Sequence, residues 1–195
     1  MTVAVILTGG LSRRMGRDKG SLELEGQTFL ERLVERYRPC FDGVWVSVDR
    51  PGRFPLSGAG EVCDLRPGHQ GPLAGLEAAF VETGAERIFL TAVDLPFGEP
   101  ALARRLLEEM GDGDACVIRR RDGGLEPLFA AYRSTCLPAA AACLDQGRRS
   151  MRALLDRVDW RPLEESALEG FDLERALFNV NRPEDFRRAA GGEKS

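Results

Sequence analysis

Short apolar runs alternate along this chain with longer segments of helical period, and that alternation restricts the fold more than any other feature. Val3 to Leu7 reads as a buried strand, after which Phe29, Leu30, Leu33, Val34 and Tyr37 fall on one helical face. Val44 to Val48 reads as a second strand, Glu61 to Asp64 as a short third, and Pro72 to Val81 as a helix that stops at Gly84. Arg87 to Val93 is apolar enough to be buried on both faces, and Pro96 ends regular pairing just beyond it. A helix over Pro100 to Met110 follows. Ala115 to Ile118 and Pro127 to Tyr132 are strand-like around a charged turn, while Ala139 to Leu144 and Met151 to Val158 have helical character. Ala176 to Val180 reads as a last short strand before a helix opened by Pro183. Repeated strand-helix units of this kind imply an α/β sandwich with a largely parallel central sheet, whose functional loops lie at the strands' carboxyl ends.

No repeat or linker divides the 195 residues, so the expected organisation is one domain over 1–190 with a loose tail at 191–195. At this length a compact fold removes about 70% of the unfolded chain's surface from water, and no disulfide or structural metal is needed to support the core. The five cysteines are widely spaced with no C-x-x-C pair, which signals neither a disulfide framework nor a zinc site. A net charge of −4 disfavours a nucleic-acid surface. The first apolar run is five residues long with no preceding Lys or Arg, too short for a secretory leader or a bilayer span, so a cytoplasmic protein without a membrane partner is expected.

The carboxyl-end rule directs attention to the segment straight after the first strand, Leu7-Thr8-Gly9-Gly10-Leu11-Ser12-Arg13-Arg14-Met15-Gly16-Arg17-Asp18-Lys19. Gly9 and Gly10 let the backbone take positive φ and turn successive N–H groups toward phosphate oxygens. Arg13, Arg14, Arg17 and Lys19 add positive charge, Arg as a bidentate fork and Lys as a mobile point charge. The segment is not a Walker A loop, because Gly16 precedes Arg rather than Lys-Ser/Thr, and it is not G-x-G-x-x-G, because its early glycines are adjacent. A phosphate-binding bend outside those two motifs is the reading that remains.

Leu7 to Lys19 resembles the signature L-x-G-G-x-S-x-R-M-G-x-D-K of the molybdenum cofactor guanylyltransferases. Further blocks agree in order: Asp64 before Gly71-Pro-Leu-Ala-Gly75, Asp94-Leu-Pro-Phe97, Glu126-Pro-Leu128, and Phe178-Asn-Val-Asn-Arg-Pro-Glu-Asp185. The resemblance covers nearly the whole chain. It implies a Rossmann-like three-layer sandwich of the nucleotide-diphospho-sugar transferase type. It also implies transfer of GMP from GTP to the phosphate of molybdopterin, with release of pyrophosphate and with Mg²⁺ as cofactor. The family roles fall on Leu7, Thr8 and Gly9 for the nucleotide, Lys19 for its phosphates, Asp64 for nucleotide binding, and Asp94 for the metal; Gly10 joins the nucleotide contacts through its backbone and Arg14 the phosphate contacts through its charge. Thr8 stands where the family usually has Ala, beside the base pocket, and Ser47 and Asp49 stand where relatives often carry Asn. Ser47 is accordingly a nucleotide contact by resemblance alone. Molybdenum-insertion proteins and apo-molybdoenzymes are the implied macromolecular partners.

The residues support this chemistry independently. Joining two phosphates brings two anions together, so charge neutralisation and alignment lower the barrier rather than a protein nucleophile, and the attacking oxygen is already ionised. Asp94 at a strand's carboxyl end suits Mg²⁺, or else caps the turn before Pro96. Asn179 and Asn181 project to one side of an extended segment, where Asn181 is a candidate metal ligand and a turn is the plain alternative. Arg148, Arg149 and Ser150 open a helix and reach the pterin phosphate or only solvent. His69 reads as surface. Two other functions fit the same residues: a cytidylyl- or sugar-phosphate transferase, and a non-catalytic nucleotide or molybdopterin carrier.

Overall fold

The first strand is buried from Val3 to Leu7, which requires cover on both faces, and the fold supplies it. A computed structural model describes residues 1–9, 19–24, 26–68, 70–181 and 183–191. Its strands are β1 (Thr2–Leu7), β2 (Glu23–Leu24), β3 (Gln27–Thr28), β4 (Gly43–Val48), β5 (Gly60–Cys63), β6 (Arg87–Ala92), β7 (Ala115–Arg119), β8 (Leu125–Arg133) and β9 (Trp160–Glu164). Its helices are α1 (Phe29–Tyr37), α2 (Pro72–Thr83), α3 (Pro100–Met110), α4 (Leu137–Asp145), α5 (Met151–Leu155), α6 (Leu173–Ala176) and α7 (Pro183–Gly191).

Seven strands form one sheet in the order β5-β4-β1-β6-β8-β7-β9, all parallel except β8; β2 and β3 make a separate small hairpin. Side chains alternate across β1. Ala4 and Ile6 join one packed layer with α1 and α3, while Val3, Val5 and Leu7 join the opposite layer with α2 and α4. The expected three-layer arrangement is therefore present. From β1 the chain adds β4 and β5 on one side, then returns through α2 to β6 on the other. The carboxyl ends of β1 and β6 thus border the crevice at which the direction of winding reverses.

Local chemistry sets the helix ends that matter. Thr28 and Glu31 form a reciprocal cap on α1: the Thr28 hydroxyl accepts from the Glu31 N–H at 3.1 Å, and the Glu31 carboxylate accepts from the Thr28 N–H at 2.8 Å. Pro72 opens α2, and Gly84 closes it in a left-handed conformation.

Three expectations are corrected. Ala176 to Val180 is not a strand: Ala176 ends α6, and the following turn closes through the Leu177 N–H to the Leu173 carbonyl and the Phe178 N–H to the Arg175 carbonyl. The helix expected to reach Val158 stops at Leu155 in a turn made by Asp156 and Arg157. Trp160–Glu164 beyond it is an edge strand beside β7. Its Pro162 and its largely uncovered flanks hide it from an apolar-alternation reading, since only Leu163 is buried. Gly191, assigned to the loose tail, is the last residue of α7, and 192–195 lie outside the described residues.

Candidate active site

Leu7 occupies the centre of the carboxyl edge, paired with Ser47 of β4 on one side and Ala92 of β6 on the other. Thr8 follows, only 3% exposed, and its hydroxyl donates to the Ser47 carbonyl at 2.6 Å. The Leu7 carbonyl accepts from the Val93 N–H at 2.9 Å, which extends the β1–β6 ladder past both strand ends. Gly9 then turns the chain at φ 81°, inside the left-handed region, as the bend requires. Gly10, Arg13, Arg14 and Arg17 lie outside the described residues, as does His69. The Lys19 backbone re-enters in a 3₁₀ turn over Lys19–Ser21, and the Phe29 N–H at the start of α1 donates to the Leu22 carbonyl at 2.9 Å.

Helix α2 approaches this edge unusually closely. A Cβ on Gly75 would lie 2.7 Å from Leu7 Cδ2 and 3.0 Å from Ser47 Oγ, so the absent side chain is what lets the helix reach the strand ends. Gly71, with φ 77°, caps α2 without a side chain, and the backbone of Arg149 packs against it. The 148–150 segment therefore does border the site. There Ser150 caps α5 by accepting from the Ala153 N–H at 3.2 Å, and Arg148 pairs with Asp156 at 3.4 Å.

Asp64 is the first residue past β5, and the loop carrying it is anchored two residues on. The Arg66 guanidinium donates to both oxygens of Glu77 in α2 at 2.7 and 2.8 Å, and to Asp145 of α4 at 2.6 Å. The hydrogen bonds it donates, to Glu77 first and to Asp145 after it, raise the Arg66 pKa above its ordinary value. Glu77 is 5% exposed, so the guanidinium is what makes its burial tolerable. Asp49, by contrast, is turned to a surface pair with Arg53 at 2.7 Å.

Asp94 sits two residues past β6, partly exposed, in a turn closed by the Leu95 N–H to the Ala92 carbonyl at 3.0 Å and the Gly98 N–H to the Leu95 carbonyl at 3.2 Å. The Val180 N–H donates to the Asp94 carbonyl at 2.8 Å, which sets the exposed Asn179 and Asn181 beside it. The apolar run misread as a strand thus docks its backbone on the Asp94 turn and sets the two asparagines in the adjoining chain. Phe178 packs on Phe97 with ring centroids 6.5 Å apart, and the Asn181 N–H donates to Asp185 at 3.1 Å.

Among the described residues, no group of three or more His, Cys, Asp or Glu side chains gathers to hold a metal. A carboxylate and side-chain amides are nonetheless donor types that suit Mg²⁺, which keeps waters and shares its remaining positions with substrate phosphates. The described residues therefore fit a metal delivered with nucleotide better than a fully protein-enclosed one.

A family model described as the MobA-like NTP transferase domain matches residues 4–161. The chain belongs to the MobA-like NTP transferase family. It is 35% identical to the molybdenum cofactor guanylyltransferase of Rhizobium meliloti (strain 1021), over 95% of this chain and 89% of that protein. The crystal structure of molybdopterin-guanine dinucleotide biosynthesis protein A from Archaeoglobus fulgidus superposes with a TM-score of 0.83 at 28% identity, covering 97% of each chain. The fold extends further: 2-C-methyl-D-erythritol 4-phosphate cytidylyltransferase from Thermus thermophilus superposes at 0.69 with 20% identity, covering 100% of both chains.

Sequence reasoning passed over one residue at this MobA-like site, Arg66, which anchors the loop carrying Asp64. Glu77 carried a readable signal, being a lone acid among Leu73, Leu76 and Phe80 on a buried helix, where a charge demands a partner. Glu126 stands in one of the matching blocks without an assigned role. Burial pushes its carboxyl above the ordinary range, Arg120 pulls it back, and Asp122 adds to the rise. The buried cysteines are inert, with burial pushing the Cys116 and Cys136 thiols up to about 12.

Proposed function

We propose that this protein transfers GMP from GTP to the phosphate of molybdopterin, as a molybdenum cofactor guanylyltransferase. The observation that carries the reading is the convergence of the β1 bend, Asp94 and the Asn179–Asn181 segment on one carboxyl edge, in a chain whose relatives bear that activity. The nucleotide lies against Leu7, Thr8 and Gly9 with Ser47 and Asp64 on its outer side, while Gly10, Arg14 and Lys19 hold its phosphates.

A molybdopterin phosphate oxygen attacks the α-phosphorus of GTP. The new P–O bond forms as the bond to the bridging oxygen breaks, and pyrophosphate leaves with that electron pair. Asp94 and Asn181 would hold Mg²⁺, which when bound neutralises charge on the triphosphate and on the departing pyrophosphate. The protein's part is to keep donor and acceptor aligned and to place Lys19 and Arg14 where negative charge gathers. The acceptor phosphate is an anion at neutral pH, so no side chain needs to take a proton from it.

The described residues contain no helix long and apolar enough to cross a membrane, and the free thiols suit a reducing, cytoplasmic setting. Molybdenum-insertion proteins and apo-molybdoenzymes are the proposed partners at either end of the reaction. The test is a product assay with purified molybdopterin, Mg²⁺ and each of the four nucleoside triphosphates. Pyrophosphate and the dinucleotide should form with GTP. Product with CTP alone would make the protein a cytidylyltransferase, and GTP binding without pyrophosphate release would make it a carrier.

A further inference from the structure

Helix α1 joins the two halves of the site at its two ends. At its start, the Phe29 N–H holds the Leu22 carbonyl just after the turn that carries Lys19. In its last turn, the Arg36 guanidinium donates to the carbonyls of Pro96 at 3.3 Å and Gly98 at 3.2 Å, in the turn that carries Asp94. That turn has few other ways to satisfy itself. Pro96 brings no N–H, and both carbonyls belong to buried residues, so their oxygens need a donor from elsewhere. Gly98 has no room to shift, because a Cβ there would come 2.5 Å from the Tyr37 hydroxyl and 2.7 Å from Phe129 Cε2. The neighbouring Phe97 ring is covered by Arg175, whose guanidinium carbon stands 5.2 Å from its centroid.

We infer that Arg36 is a positioning residue for the transfer reaction: by gripping the Pro96 and Gly98 carbonyls from α1, it fixes the Asp94 turn at a set distance from the Lys19 turn. This rests on the reading of Asp94 as the metal-holding carboxylate. Both bonds leave one terminal nitrogen, Nη1, whose N–H groups reach the two carbonyls from the end of a side chain long enough to span from α1 to the turn. Displacements of an ångström at reacting groups cost rate steeply, so a tether outside the site still sets turnover.

The test compares Arg36→Ala, Arg36→Lys and Asp94→Asn with the wild-type protein. Readouts are Mn²⁺ affinity in the presence of GTP by electron paramagnetic resonance, hydrogen exchange at the Leu95 and Gly98 amides, and the kcat and KM of GTP. Arg36→Ala should weaken Mn²⁺ binding and lower kcat by roughly tenfold with little change in KM. Exchange at Leu95 and Gly98 should quicken, and Arg36→Lys should recover part of each effect. Unchanged Mn²⁺ affinity and kcat in Arg36→Ala, with Asp94→Asn impaired in both, would overturn the role of Arg36 alone. Unchanged Mn²⁺ affinity in Asp94→Asn would overturn the reading of Asp94 beneath it. Should Arg36→Ala fail to fold, Arg36→Met decides, since it keeps the stem and removes every donor: full wild-type values in all readouts reject the tether, and a lowered kcat with quickened exchange supports it.

Discussion

The hydroxyl of Thr8 donates to the carbonyl of Ser47 at 2.6 Å, binding the first residue past β1 to the end of β4. The hydroxyl thereby serves the scaffold, its proton held by the neighbouring strand. The bond ties the ends of β1 and β4 together at the carboxyl edge.

Thr8→Val, which keeps the shape and removes the hydroxyl, should destabilise the protein by about 1 kcal/mol, the net worth of one hydrogen bond. The ratio of kcat/KM for GTP over CTP should stay at its wild-type value. Thermal unfolding and paired kinetics measure both, and an altered ratio would put the hydroxyl in the base pocket.

Gly75→Ala sets two effects against each other. Alanine improves a helix interior by about 1 kcal/mol, whereas crowding a packed contact costs about 1 to 3 kcal/mol. The Cβ would press on Leu7 and Ser47 together, both of them fixed in the sheet, so crowding should prevail by about 1 kcal/mol. The nucleotide KM should rise several-fold as α2 is pushed off the strand ends. A variant more stable than wild type with unchanged KM would contradict this.

Glu126 supplies a pH signature. Burial raises its carboxyl above the unfolded value, so the folded protein prefers it protonated. Its stabilising contribution is complete below the unfolded pKa, about 4.3, and is lost as pH rises through the higher folded value. Glu126→Gln should therefore raise the melting temperature near pH 8, and the gain should vanish near pH 4. A gain that persists unchanged at low pH would trace the effect to packing. If the carboxylate also serves the reaction, the stabilised variant will turn over more slowly.

Lys19→Ala should leave the melting temperature within a few degrees of wild type while turnover falls by about 10²-fold or more, since developing charge on the phosphates loses its cation. Lys19→Arg should retain part of the activity. Steady-state pyrophosphate release measures both, and wild-type turnover in the alanine variant would remove Lys19 from the mechanism.

Much of the fold was legible because its central elements satisfy local rule and global place together. Helix α3 begins at Pro100 and ends at Met110 as its period and opening proline imply, and the buried residues of α1 are the five on the face read from its spacing. The failures have physical causes. Phe178 and Val180 look like strand residues because they are apolar, yet they serve to clasp the Asp94 turn, a contact with a distant segment that no local pattern encodes. The strand-end rule led to the segment after β1 and to Asp94 after β6, and Leu7, Thr8, Gly9 and Asp94 do lie at that carboxyl edge; Ser47, Asp64 and Asn181 were named through the family resemblance, and Asn181 follows no strand. Arg36 and Arg66 were invisible for a different reason. Each acquires its role through a distant partner, Arg36 with Pro96 at a separation of 60 residues and Arg66 with Asp145 at a separation of 79.

The Arg66 junction also restricts how such chains can be recombined. One guanidinium serves a deeply enclosed carboxylate on α2 and a second acid on α4, so the early and late parts of the molecule share a single electrostatic knot. A chimera that crosses over between positions 66 and 77 and loses Arg66 would strand Glu77 without its counter-charge, and one that crosses over between 77 and 145 and loses Asp145 would cut the tie to α4. Successful grafts between relatives should inherit all three residues or none.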